Sequence, residues 1–281
     1  MVMVERVAIV IPGEPRCLPW NTNYINLFLS SLDIPYDVYI CTDTNAGERF
    51  EDINNIKSIV EVSRDWQVDE HSSTNHPSGP LKRDDVTGLP ENEIEKLINY
   101  SKFRMLHVGD VDELHEVPNI GGLERKFLSR HILQWIKTYA CWLCIDDTSQ
   151  YDRIIKLRAD ISFNYKNFTT EQEVKAWLHE QLFCNDYTGY GDRCFSANVT
   201  EFENLINWPF HIEKYVKSCP PHEIHWCDHL PFLYFLYTHG RDYSIGMSMF
   251  DLIDDRPESP DYRKRHGQHK ISPYEEVNII L

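Results

Sequence analysis

The sequence contains no long hydrophobic run. Its apolar opening, Met1–Ile11, is broken by Glu5 and Arg6 and closed by Pro12-Gly13, too short for a bilayer span or a secretory h-region. Positive charge is scarce: 28 Lys and Arg face 44 Asp and Glu, a formal net charge of −16. Neutralising a phosphate backbone or an anionic bilayer needs clustered Lys and Arg, and this acidic balance, despite the short basic cluster Arg263-Lys264-Arg265-His266, argues against a nucleic-acid partner; without a long apolar run no membrane span is expected. With 12 Gly and 15 Pro in 281 residues, low-complexity and fibrous chains are excluded. The eight cysteines (Cys17, Cys41, Cys141, Cys144, Cys184, Cys194, Cys219, Cys227) are scattered through a large chain rather than packed into a small secreted scaffold. Free thiols and a soluble protein of the reducing cytoplasm are the expectation, and the sequons at Asn167 and Asn198 would matter only in a secretory lumen. What is present is a 42 % hydrophobic chain with 12 % aromatics, enough for an ample core.

The pattern along the chain is that of an α/β protein. Val4–Ile11 is a β-branched run that reads as a buried strand ending in Pro12-Gly13-Glu14-Pro15-Arg16. Asn21–Leu32 follows with apolar residues at helical spacing, and Asp37–Cys41 reads as the next strand; strand, helix and strand at this pitch form a βαβ unit and favour a parallel sheet. Lys57–Val62 predicts a third strand. Between about 65 and 120 the pattern becomes polar and rich in His, Ser, Pro and Asp, an irregular insertion holding one short helix at Glu91–Tyr100. Gly122–Leu143 restores a strong amphipathic stripe through Leu128, Ile132, Trp135, Ile136, Tyr139 and Leu143. Then come a strand at Asp152–Leu157, a helix at Thr170–Gln181, a turn at Gly189–Arg193, a strand at Cys194–Ala197, a helix at Val199–Asn207, a mostly apolar helix at His222–Thr238 and a polar tail from Asp251. No internal repeat and no linker compels a split, so 1–281 is expected to form one domain.

Chemistry concentrates in Tyr151–Phe163 (YDRIIKLRADISF). A buried strand that stops at Arg158-x-Asp160 sets two opposite charges at the carboxyl edge of a parallel sheet, where open α/β folds bind ligands; a surface ion pair is the competing account. Asp110-Val111-Asp112 is a literal Asp-x-Asp and an alternative metal motif, ranked lower because it comes before the long Gly122–Leu143 helix. Cys141-Trp142-Leu143-Cys144 lacks a matching second pair for a zinc site and is expected to pack in the helix core. His222, His225 and His229 lie at helical spacing, either a metal face or a solvent-exposed helix start.

In this order VAIVIPGEPR, YICTD, the Gln134-Trp135 helix, YDRIIKLRADISF and YGDRCFSANVTEFENLI resemble nucleotide-sugar glycosyltransferases of the GT-A type, in particular a bacterial and viral branch with a "YD-apolar-R-x-D" segment. The resemblance spans the first and last thirds of the chain and the central strand. It implies a Rossmann-type mixed central sheet flanked by helices, and transfer of a sugar, xylose first, from a UDP-sugar donor to a hydroxyl of a glycan or glycoprotein acceptor, with inversion, in building a viral capsid glycan in the host cytoplasm. It puts Pro12, Gly13 and Arg16 near the base and phosphates, Asp43 at the uracil or ribose, and Arg158, Asp160, Asp192 and Arg265 around the donor. Asp160, with His266, would hold Mn²⁺ or Mg²⁺; in place of the usual Asp-x-Asp the chain has Arg-x-Asp, so one carboxylate has become a cation. Asp228, with Glu223 second, would act as general base on the acceptor. Each has a plainer account: Asp43 and Asp192 as turn residues, Arg265 and His266 as part of a charged tail. Two other function classes stay open: a catalytically silent sugar- or nucleotide-binding protein, and a metal-dependent hydrolase built on Asp110-x-Asp112 and the clustered histidines.

Overall fold

Val7–Pro12 is buried along its whole length, which requires cover on both faces and neighbours on both sides. This strand, β1, is the centre of the sheet. The computed structural model describes residues 4–15, 18, 22–63, 81–102, 125–159, 161–163, 170–183, 187–190, 194–207, 210, 244–245 and 250–252. Over these the elements that follow β1 are α1 (Thr22–Ser31), β2 (Tyr36–Asp43), β3 (Ile56–Val62), β4 (Val86–Thr87), α2 (Glu91–Ser101), α3 (Arg125–Leu143), β5 (Arg153–Leu157), β6 (Ile161–Phe163), α4 (Glu171–Phe183), β7 (Tyr187–Tyr190), β8 (Cys194–Asn198), α5 (Val199–Ile206), β9 (Ser244–Ile245) and β10 (Phe250–Leu252).

The main sheet has the order β4-β3-β2-β1-β5-β8-β7-β9, and β6 pairs with β10 in a separate two-stranded sheet. β1, β2, β3 and β5 run parallel, while β4 and β8 are antiparallel to their neighbours β3 and β5. The sheet is therefore mixed and flanked by helices, an α/β architecture compatible with a Rossmann-like fold. Alternation along the strands divides the core. Ala8, Val10, Tyr39, Cys41, Val60, Ile154 and Phe195 face one layer with residues of α2, α3 and α5; Val7, Ile9, Ile11, Val38, Ile40, Ile155 and Leu157 face the other with residues of α1 and α4. Among the described residues no helix is long and apolar enough to cross a membrane.

Three regions differ from the sequence pattern. Residues 81–102, inside the stretch expected to be irregular, supply a strand to the sheet edge, and Leu81, Val86, Leu89, Leu97 and Tyr100 are buried in the α3-side core. The polar spacing hid this because only one face of the segment is apolar. Gly189 and Tyr190, expected in a turn, belong instead to strand β7, Tyr187–Tyr190, which pairs with β8, and 191–193 lie outside the described residues. The tail is not wholly irregular: Phe250–Leu252 pairs antiparallel with Ile161–Phe163, a long-range contact that no local pattern encodes.

Candidate functional site at the carboxyl edge

The chain steps from β1 to β2 to β3 in one direction and then places β5 on the other side of β1. In open α/β sheets the region outside the carboxyl ends of the strands at such a reversal, here β1 and β5, is the general ligand site. β1 ends there at Pro12-Gly13. The Gly13 N–H donates to the Cys41 carbonyl at 2.9 Å and its φ is +130°, a conformation reserved for glycine. Among the described residues a Cβ at Gly13 would meet nothing within 4 Å, so backbone conformation rather than crowding calls for glycine, and they leave open space beside it.

β2 ends next to it at Asp43, on the same face as Tyr39 and Cys41. Its carboxylate meets Lys137 of α3 at 2.6 Å, with side chains only 1 % and 2 % exposed. Taking both charges out of water is tolerable only because each neutralises the other. The turn beyond is fastened from β3: the Glu61 carboxylate accepts from the N–H groups of Asn45 (3.1 Å), Ala46 (3.1 Å) and Gly47 (2.7 Å). Ala46 N–H also donates to the Asp43 carbonyl.

On the far side of β1, β5 contributes cations. Lys156 pairs in register with Val10 and Phe195 and is 1 % exposed, its Nζ 6.0 Å from the centre of the Phe195 ring. Arg158, half-buried, lies two positions further, just beyond the strand. Burial pushes the neighbouring Cys194 thiol up to about 12, with Lys156 opposing the shift. The β6–β10 pair begins one residue after Asp160, so the chain around 250–252 returns against the segment that carries Arg158.

Pro12, Gly13, Asp43 and Arg158, all expected around a donor, thus come together at one edge. Arg16, Asp160, Asp192, Glu223, Asp228, Arg265 and His266 lie outside the described residues, as do Asp110, Asp112, His222, His225 and His229. Among the described residues no group of three or more His, Cys, Asp or Glu is placed to hold a metal ion. Cys141 and Cys144 are buried free thiols, and burial raises both.

Sequence reasoning missed Lys137, Glu61 and Lys156. The signal for the two lysines was present: each interrupts an apolar run, Trp135-Ile136-Lys137 and Ile154-Ile155-Lys156, and a lysine in such a position implies a buried partner. Nothing in the sequence pairs Glu61 with the turn that precedes it by more than a dozen residues. A comparison with family models and with curated proteins finds no match to this chain.

Proposed function

We propose that the chain is a nucleotide-sugar glycosyltransferase of the GT-A type that binds a UDP-sugar at the carboxyl edge of the sheet. The observation that carries this reading is the meeting, at the reversal of strand order, of open space beside Gly13, an acidic turn at Asp43 and the cationic end of β5. Departure of a nucleoside diphosphate builds negative charge that fixed cations stabilise, and a guanidinium at Arg158 suits phosphate oxygens by its forked geometry. The remaining parts of the proposal are xylose as the sugar, a hydroxyl of a glycan or glycoprotein as acceptor, inversion with Asp228 or Glu223 as base, Mn²⁺ or Mg²⁺ held through Asp160 and His266, and work on a viral capsid glycan in the host cytoplasm.

The test is calorimetric and thermal-shift binding of UDP, GDP, UDP-xylose, UDP-glucose and GDP-fucose, each with and without Mn²⁺. A donor present at a hundredfold excess over its Kd should raise the melting temperature by about 5 °C or more. That shift should vanish in Asp160→Ala and weaken in Arg158→Ala. No shift with any nucleotide, under either metal condition, overturns the reading. The cation at position 158 also favours a second one, a sugar-nucleotide-binding protein without transfer activity. It would give the same melting shifts with no nucleoside diphosphate released on adding acceptors.

A further inference from the structure

The connection from β1 to α1 passes the carboxyl edge at Gly13, and its residues 13–15 and 18 belong to no strand or helix. Two backbone hydrogen bonds hold it: Gly13 N–H donates to the Cys41 carbonyl at 2.9 Å and Leu18 N–H to the Pro15 carbonyl at 3.2 Å. The Leu18 side chain is buried in the α1-side core, which also contains Phe50 and Ile53. Its carbonyl accepts from Arg49, which donates through both Nε, at 3.0 Å, and Nη2. Arg49 stands in a short 3-10 turn after β2, Gly47–Phe50. α1 is pinned just beyond: Asn26 Nδ2 donates to the Asp52 carbonyl at 2.8 Å, and Asn26 Oδ1 accepts from Asn54 N–H at 2.9 Å. The β1–α1 connection is thus hung on residues 49–54 of the next crossover.

Arg49 differs in kind from the apolar ties. Leu18, Phe50 and Ile53 hold by burial, and removing any of them opens the core. Arg49 is exposed and grips the loop at one carbonyl oxygen, so removing it frees the loop and leaves the core packed. Two N–H groups of one planar guanidinium on a single oxygen fix direction as well as distance, which the ammonium of a lysine does not. We infer that Arg49 is a positioning residue: through the Leu18 carbonyl it holds the β1–α1 connection against the carboxyl edge in the setting that receives the ligand, and it does so without touching the ligand. This rests on the reading above, in which a UDP-sugar binds at this edge.

The experiment compares the full chain with Arg49→Ala and Arg49→Lys, reading hydrogen exchange of the Gly13 and Leu18 amides by NMR and the affinities of UDP and uridine by titration. In Arg49→Ala both amides should exchange about tenfold faster or more, the effect of losing a hydrogen bond from a charged donor, while the Ile9 and Phe28 amides of β1 and α1 keep the parent's rates. UDP and uridine should weaken together, by a common factor of about five or more. Arg49→Lys, with one donor in place of two, should fall between. A guanidinium that met the phosphates itself would spare uridine, so a loss confined to UDP overturns the inference. It is overturned equally if the two amides exchange as in the parent, or if they exchange faster while both affinities hold. Should Arg49→Ala not fold, the same readings on Arg49→Lys decide between these outcomes. If the parent chain binds neither UDP nor uridine, the transferase reading fails and the inference falls with it; every other outcome leaves the transferase reading standing.

Discussion

At the amino edge of the parallel strands, Arg6, Lys57 and Tyr151 all converge on one acid, Asp37. Arg6 donates to Asp37 Oδ2 through Nε (3.1 Å) and Nη2 (2.5 Å), Lys57 Nζ lies 3.3 Å from Oδ1, and the Tyr151 hydroxyl donates to Oδ2 at 2.7 Å. Tyr39 shares a hydrogen bond of 2.8 Å with Tyr151, and the Asp152 carboxylate takes the N–H groups of Glu5 and Arg6. The starts of β1, β2, β3 and β5 are thereby tied into one network whose charges serve one another. At the carboxyl edge the same strands end differently. One acid, Asp43, is clamped beneath the surface by Lys137, while Gly13 borders open space and Arg158 sits half-buried beyond its strand. The contrast teaches that a parallel sheet can use one edge to fasten its strands and leave the other for a ligand, even though both edges are rich in charge.

The sharpest way to break this contrast is to remove one partner of the carboxyl-edge pair. Lys137→Met leaves Asp43 buried without its cation and should lower stability by about 3–5 kcal/mol, the usual cost of an uncompensated interior charge. Adding Asp43→Asn to it should recover a good part of that loss, since the pair is removed together. Urea denaturation of the two variants checks both. Equal losses in the single and double variants would mean that the cost comes from disturbed packing at position 137 and not from an uncompensated charge on Asp43.

Two smaller changes separate fastening from binding. Arg158→Ala should weaken UDP-sugar binding by about 10- to 100-fold, the range of a charge-assisted hydrogen bond of roughly 1.5–3 kcal/mol. Tyr151→Phe should do the opposite. It removes a buried donor to Asp37 and the partner of Tyr39, costs about 1–2 kcal/mol of stability, and leaves nucleotide affinity unchanged. Calorimetric titration beside a melting curve reads both quantities on each variant. If Tyr151→Phe loses affinity as much as Arg158→Ala does, the two edges are not functionally distinct.

How much of this was legible depended on whether a residue's role is local. β1, β2, β3, β5 and the long helix α3 were readable because buried parallel strands are continuous apolar runs and an amphipathic helix repeats its stripe. Arg158 was readable as a strand-end residue, because the βαβ order alone predicts which edge matters, while Gly13 and Asp43 were singled out only by the family resemblance. The partners that finish the site were not. Lys137 and Glu61 reach Asp43 and its turn across tertiary contacts, and Phe250–Leu252 finds β6 across nearly ninety intervening residues. A run of polar residues likewise concealed that 81–102 closes the sheet edge, since Leu81, Val86 and Leu97 are too widely spaced to show a period.

The smallest expected effect is on the acid limb of stability, and it again divides the edges. Burial works to raise the Asp37 carboxyl, but hydrogen bonds from Tyr151, Arg6 and Lys57 outweigh it and hold the group below its ordinary value. A carboxyl depressed in the folded state contributes stability that is fully present above its unfolded pKa, about 4, and is lost as the pH falls through the lower folded value. The protein should therefore hold its melting temperature down to about pH 4 and lose it progressively below. In Tyr151→Phe the first of the depressing hydrogen bonds is gone, so the gap between folded and unfolded values narrows and less stability remains to be lost in acid. The variant's curve should run below the parent's at neutral pH and converge on it as the pH drops. Arg158→Ala touches no member of that network among the described contacts, so its curve should keep the parent's shape throughout. Melting curves from about pH 7 to pH 3 distinguish the cases. Parallel curves for the parent and Tyr151→Phe would show that Asp37 draws its ionised form from Arg6 and Lys57 alone, and the tyrosine pair would then be packing rather than part of the charge network.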